Sequence, residues 1–162
     1  MQVLYSFCPQ SGCADGAQPV AGLIMDAAGN LYGTTLSGGI GSGSGVVFKL
    51  APDGTETVLY SFCSQANCTD GLQPFAGLIM DAAGNLYGTT KGGGAGGTGV
   101  VFKLAPDGTE TVLYSICSQL PNCTDGARPG AVIMDVAGNL DGTTALGGIA
   151  PGNSGVVFAL TP

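Results

Sequence analysis

The sequence predicts an all-β protein built from three tandem four-stranded antiparallel units, each shaped like the blade of a propeller. Three observations lead there. Blocks of residues recur three times along the chain, at a period of 55 and then 54 residues. Apolar and β-branched residues fall in runs of about five, with no sustained 3.6-residue stripe that would mark a helix. Glycine accounts for 30 of the 162 residues, far above the usual share of about 7%, and it lacks the every-third-residue spacing of collagen.

The repeat is explicit. Val3-Leu4-Tyr5-Ser6-Phe7-Cys8 returns from Val58 to Cys63 and, with Ile116 for Phe, from Val112 to Cys117. The block that runs from Ile24 to Thr35 recurs unchanged from Ile79 to Thr90. It comes a third time from Ile133 to Thr144, with Val136 for Ala and Asp141 for Tyr. Val46-Val47-Phe48-Lys49-Leu50 returns at Val100 and again, with Ala159 for Lys, from Val156 to Leu160. The whole chain, 1–162, is therefore one repeat domain, with units 3–57, 58–111 and a truncated 112–162.

Within the first unit, residues 22–26 form the first strand. Ala27-Ala28-Gly29-Asn30 turns the chain into the second, 31–35. A glycine-rich loop over 37–45 leads to the third strand, 46–50, and Pro52-Asp53-Gly54 turns into the fourth, 57–62. Gly-Asn and Asp-Gly supply the positive-φ positions that tight hairpins need. Val46, Phe48 and Leu50 point one way and Val47 the other, so the strand is apolar on both faces, as in a sheet covered on both sides. Radially stacked blades bury their sheets in this way, and four strands in about fifty residues is blade-sized. The β-trefoil and the β-prism are the alternative threefold architectures.

Counting strands sharpens the expectation. The residues from Val3 through Leu4 and Tyr5 to Phe7 are a fourth strand with no first three before it. Val156, Val157, Phe158 and Leu160 make a third strand with no fourth after it. The two partial units sum to one blade, so the N-terminal strand is expected to complete the last blade, that of a neighbouring identical chain. Two chains would then close a six-bladed ring, or, if the rotation does not close, a filament would grow.

Composition bounds the function. Charged residues are 9% and hydrophobic ones 44%, with a mean hydropathy of +0.36, which is too apolar for a disordered tail. Four basic residues face eleven acidic ones, a net charge of −7. There is no basic footprint for nucleic acid and no charge attraction to anionic lipid. No apolar run reaches the ~18–20 residues of a membrane span. Histidine is absent, which removes the commonest general base and metal ligand.

The Asp26-x-x-Gly29-Asn30-Leu31-Tyr32-Gly33-Thr34-Thr35 block resembles the GloVer tandem-repeat family of secreted bacterial proteins. So do the Gly-Gly segment after it, Gly45-Val46-Val47-Phe48-Lys49-Leu50, and Leu59-Tyr60-Ser61-Phe62. The resemblance covers essentially the whole chain. It implies a propeller-like extracellular repeat protein, often in longer arrays with a separate surface anchor, and it brings no activity or catalytic residue with it.

Six cysteines fall in three local pairs, Cys8 with Cys13, Cys63 with Cys68 and Cys117 with Cys123, each just after a fourth strand. Three disulfides within the units are the economical reading, and they place the protein in an oxidising compartment, outside the cell or in a periplasm, with the extracellular setting expected. Zinc is disfavoured, since two thiolates per site without histidine leave its coordination unfinished. Met1 opens directly into a strand with no leader pattern, so the sequence is expected to be a mature or trimmed form, or part of a longer array.

The remaining motifs read as structural first. Asp26 and Asn30, with Asp81, Asn85, Asp135 and Asn139, suit turns better than a calcium loop, which needs a denser carboxylate series. Asp15-Gly16, Asp70-Gly71 and Asp125-Gly126 are likewise turns. Glu56 and Glu110, at matched strand positions, are the only arrangement that suggests a paired-carboxylate glycosidase, and their recurrence favours a structural role. The glycine-rich loops lack the Lys-Ser/Thr of a phosphate loop. No catalytic residue, metal or cofactor is expected, and the protein is read as a non-enzymatic scaffold that assembles with itself. Glycan binding through Tyr5, Tyr60 and Tyr114, or Tyr32 and Tyr87, is the alternative, with multivalency its attraction. Asn67 and Asn122 stand in N-glycosylation patterns, and Thr34-Thr35, Thr89-Thr90 and Thr143-Thr144 are candidate O-glycosylation sites.

Overall fold

The computed structural model describes residues 1–9, 11–41, 43–119, 122–149 and 153–162. Among these there is no α-helix, and the strands form three antiparallel sheets. Sheet one holds β1 (Ile24–Met25), β2 (Leu31–Thr35), β3 (Val46–Leu50) and β4 (Glu56–Ser61) in that order. Sheet two repeats it with β7 (Leu86–Gly92), β8 (Val100–Leu104) and β9 (Glu110–Ser115). Its innermost strand is divided into β5 (Leu72–Pro74) and β6 (Ile79–Met80), both paired to β7. Sheet three has β10 (Ala127–Met134), β11 (Leu140–Leu146) and β12 (Val157–Leu160), and three strands only.

The all-β expectation and the strand positions hold, with local differences that have physical causes. The first strand is shorter than 22–26 because Asp26 already belongs to the turn. Its carboxylate accepts from the Ala28 and Asn30 backbone N–H groups and from the Asn30 side chain and the Tyr32 hydroxyl. The acceptor strand begins at Val157 rather than Val156. Between β3 and β4 the register slips after Val47, so that Leu59 has no partner, and the same slip leaves Leu113 unpaired between β8 and β9. A bulge repeated at the same place in two units is a built feature of the fourth strand.

The sheets stack face to face, which explains the two-sided apolar pattern. Val47 and Phe62 of sheet one meet Leu78, Leu86, Val100, Phe102 and Leu104 of sheet two. Tyr87, Val101 and Ile116 of sheet two then meet Leu140, Phe158 and Leu160 of sheet three. Val46, Val47, Val100 and Val101 have no exposed surface at all, which requires a neighbour on each side.

Glycine is what lets the sheets come this close. A Cβ on Gly45 (φ +94°) would lie 2.3 Å from its own sheet's Thr35 carbonyl oxygen and 2.7 Å from Pro74 Cδ of the next. Gly99 (φ +115°) repeats this, at 2.1 Å from the Thr90 carbonyl and 2.8 Å from Pro129 Cδ. Neither the backbone angle nor the space admits a side chain. Threonine hydroxyls then stitch sheet to sheet. Thr34 donates to the Ala76 carbonyl at 3.3 Å and Thr89 to the Gly130 carbonyl at 2.8 Å.

Residues 3–7, expected as a strand, are in no ladder among the described residues. Their sequence is that of a fourth strand, but a fourth strand needs a third-strand edge, and β3 and β8 already carry β4 and β9. What remains is the other half of a fourth strand's role, the packing of its aromatic residues against the following sheet.

Candidate functional site

The two ends of the stack are the places where the repeat pattern is left open. At one end, β12 pairs with β11 through Leu160 to Leu140, Ala159 to Asp141, Phe158 to Gly142 and Val157 to Thr143. Its other edge carries no strand among the described residues. Val157 is 83% exposed, whereas Val47 and Val101, at the same repeat position, are fully buried. Beside this edge lies a hollow of about 360 Å³ lined by Tyr114, Ile116, Asp125, Val157, Phe158 and Leu160. In the preceding pair of sheets, Val112 of β9 packs into the equivalent place against Phe62 and Phe102.

At the other end, residues 3–7 lie against sheet one as β4 lies against sheet two. The Phe7 ring meets Phe48 edge-on with centroids 4.8 Å apart, and Phe62 meets Phe102 in the same way at 5.0 Å. Tyr5 packs beside them on Val46, Phe48 and Leu50. The backbone of this segment has no strand beside it, and Val3 and Leu4 are 68% and 58% exposed, where Val58 and Leu59 of β4 are half-buried.

A carboxylate anchors each fourth-strand segment to the disulfide loop that follows. Tyr60 donates its hydroxyl to Asp70 at 2.9 Å, Tyr114 to Asp125 at 2.8 Å and Tyr5 to Asp15 at 2.9 Å. Ser64 and Ser118 add backbone and hydroxyl hydrogen bonds to the same aspartates. Pro9 occupies that place in the first unit and has no N–H, so Asp15 accepts from the Cys8 backbone instead. Burial, followed by the neighbouring aspartate, pushes the Tyr5 and Tyr60 phenols up to about 12. The N-terminal segment is therefore held in fourth-strand position by the same contacts as its internal counterparts, and its ladder side alone is unused.

A model of the Gloeobacter/Verrucomicrobia repeat matches residues 1–162. The chain belongs to that repeat family. No curated protein matches it. Among solved structures, a candidate gluconolactonase is similar at 20% identity and a TM-score of 0.45. The match covers 86% of this chain and 47% of that one, and a likeness this low carries no argument about activity.

In this member of the repeat family the three disulfides form as paired in the sequence, Cys8–Cys13, Cys63–Cys68 and Cys117–Cys123, and no described cysteine is free. All six cysteines have positive φ, between 45° and 62°, so each bridge closes a compact left-handed loop. Asp26, Asp81 and Asp135 each cap their own turn. Hydrogen bonds, the Asn30 side chain first, hold Asp26 down at about 2. No group of three or more metal-ligating side chains occurs among the described residues.

Glu56 and Glu110 are not brought together as an acid and base. The carboxylate each one feels is a different aspartate, Asp15 for Glu56 and Asp70 for Glu110. Each has a buried Oε1 with no hydrogen-bond partner. Burial, and then Asp70, raise Glu110 to about 7, and burial and then Asp15 raise Glu56.

The modification candidates divide by exposure. Asn67 and Asn122 are both exposed, although the hydroxyls of their pattern threonines already donate to Gln65 and Gln119. Thr34, Thr35, Thr89, Thr90 and Thr144 are buried, so their hydroxyls serve the sheets and offer nothing to a glycosyltransferase. Only Thr143 of the six is exposed.

Proposed function

We propose that the chain is a non-enzymatic extracellular structural subunit that assembles by strand complementation. Residues 3–7 of one copy would lie along the free edge of β12 in another and complete its third sheet. The observation that carries this reading is a β12 edge with no strand beside it among the described residues, next to a 360 Å³ hollow, while at the other end of the stack a segment identical in sequence to residues 58–62 is in no ladder. An unpaired strand edge with apolar side chains beside it is a template for another chain.

The register follows from sheet two, where Val101 pairs with Tyr114 and Phe102 with Val112. By the same register Val157 would pair with Tyr5 of the neighbour and Phe158 with its Val3, which would enter the hollow as Val112 does inside the chain. The hydrogen bond from Tyr5 to Asp15 would persist, because Tyr60 and Tyr114 keep theirs while paired. Three disulfides support an oxidising, extracellular setting, and among the described residues no helix is long and apolar enough to cross a membrane. Glycan binding through the tyrosines has less support, since all five hydroxyls are engaged: those of Tyr5, Tyr32, Tyr60, Tyr87 and Tyr114 each donate to an aspartate.

Solution mass by light scattering, with negative-stain imaging of the same fraction, tests the reading. The expected result is either a discrete species of about 32 kDa, twice 15.9 kDa, or long uniform fibres. Deleting residues 1–7, or substituting Val3→Asp, should return a monomer. A wild-type chain that stays monomeric at every concentration, or a deletion that assembles unchanged, overturns it.

A further inference from the structure

Three departures from the repeat converge on one hollow of about 270 Å³ between sheets two and three. Phe75 stands where the first unit has Val20, and the third unit, one residue shorter between Pro129 and Val132, has only Gly130 and Ala131 there. Lys91 stands where the others have Leu36 and Ala145, and Arg128 where the others have Gln18 and Gln73. All three line the hollow with Pro129, Gly130 and Thr143. Phe75 and Lys91 come from the sheet-two side and Arg128 from β10 of sheet three, where Gly130 and Ala145 leave the space between them open.

The chemistry of this lining is unlike the rest of the molecule. The chain carries a net charge of −7 and four basic residues in all, yet two of the four face this one hollow and no carboxylate lines it. Phe75 is 54% exposed. The Lys91 ammonium lies over this ring at 6.0 Å from its centroid, a cation–π contact at the outer limit of its range. Neither Lys91 nor Arg128 has a side-chain hydrogen bond or ion pair among the described residues. An exposed ring beside two cations that have no carboxylate partner is a surface that an anion with a flat apolar face would serve well.

We propose that this hollow binds a carboxylate borne on a six-membered ring, the ring lying on Phe75 and the carboxylate held by Lys91 and Arg128. The volume suits a single ring and falls below the range of larger ligands. Two sources present this chemistry, a sugar acid and an aromatic acid. The hollow is complete within one chain and does not involve the β12 edge, so the result is independent of assembly.

The repeat supplies its own controls. Phe75→Val, Lys91→Leu and Arg128→Gln each install a residue that the fold already carries at the equivalent position. Gln18 and Gln73 also adopt the positive φ of Arg128 (61°, 56° and 56°), so the backbone accepts the change. Saturation-transfer NMR on the 162-residue chain at low salt, with glucuronate, benzoate, glucose and acetate as probes, reads binding whatever the assembly state. Saturable binding of a ring carboxylate is expected, with glucose lacking the charge and acetate lacking the ring both much weaker. Lys91→Leu and Arg128→Gln should each weaken it about tenfold, the loss of one charge-assisted contact, and the double variant should abolish it. Preference for glucuronate identifies a sugar acid, and preference for benzoate an aromatic one. No saturable binding of either, acetate binding as tightly as both, or affinity unchanged in the variants overturns the proposal.

Discussion

Asp70 has no exposed surface, and its carboxylate accepts hydrogen bonds from Tyr60, from both the backbone and hydroxyl of Ser64, and from the Gln65 backbone. Replacing it with alanine would remove the shared acceptor of several donors at once and leave a cavity at a buried site. Asp70→Ala should cost about 3 kcal/mol by denaturant unfolding, at the upper end for lost charged hydrogen bonds. Glu110 presents the opposite case, a buried carboxylate whose Oε1 has no partner. Its pKa is raised to about 7 by burial and Asp70, so the folded state holds a proton that the unfolded chain releases from about pH 4.5 upward. Its contribution is therefore fully present below about pH 4.5 and is lost as pH rises through 7. Glu110→Gln should raise the melting temperature at pH 8 and change it little at pH 4, whereas an equal shift at both pH values would exclude ionisation as the cause. Gly99→Ala should destabilise by at least about 2 kcal/mol, because the new Cβ would sit 2.1 Å from a carbonyl oxygen.

At the level of the element, the fourth strand does two jobs that separate in this chain. One edge completes the ladder of its own sheet, and its aromatic residues close the core of the next. Residues 3–7 perform only the second, through Tyr5 and Phe7. The disulfide loop after each fourth strand fixes where the chain turns toward the next sheet, and removing the Cys63–Cys68 bridge by a double alanine substitution should cost about 2 kcal/mol on the chain-entropy account. Calorimetry of that variant against wild type measures it directly. The strands around Val46 and Val100 were legible from their two-sided apolar pattern. The tyrosine-to-aspartate bonds were not, because the partners lie 10 or 11 residues apart across a loop whose path the sequence does not show.

For the whole molecule, burial at one repeat position separates folding from assembly. Val101 is fully buried between sheets two and three, while Val157, its equivalent, is 83% exposed. Val101→Asp should unfold the chain, by the cost of an unpaired buried charge. Val157→Asp should leave the far-ultraviolet circular dichroism and melting temperature of the single chain intact and yet abolish higher-mass species in light scattering. Assembly of the Val157→Asp protein at wild-type concentrations would show that the β12 edge is not the joint. The proposed contact is head-to-tail, so its rotation would decide whether two copies close on each other or the series continues.

The amino-acid sequence alone determined the threefold period, the all-β class and the turn positions, and made local pairing of the six cysteines the economical choice, because each of these rests on local chemistry: apolar spacing, glycine at positive φ, and short loop closure. Tertiary structure decided what the same residue does in each copy. Val47 and Val157 share a motif, but one lies between two sheets and the other faces solvent. Thr89 and Thr143 share another, but one hydroxyl is bonded across to the next sheet and the other is exposed. The hollow at Phe75, Lys91 and Arg128 likewise joins residues up to 53 positions apart. Burial is a property of what lies across the gap between sheets, and a repeat carries its own residues without carrying its neighbours.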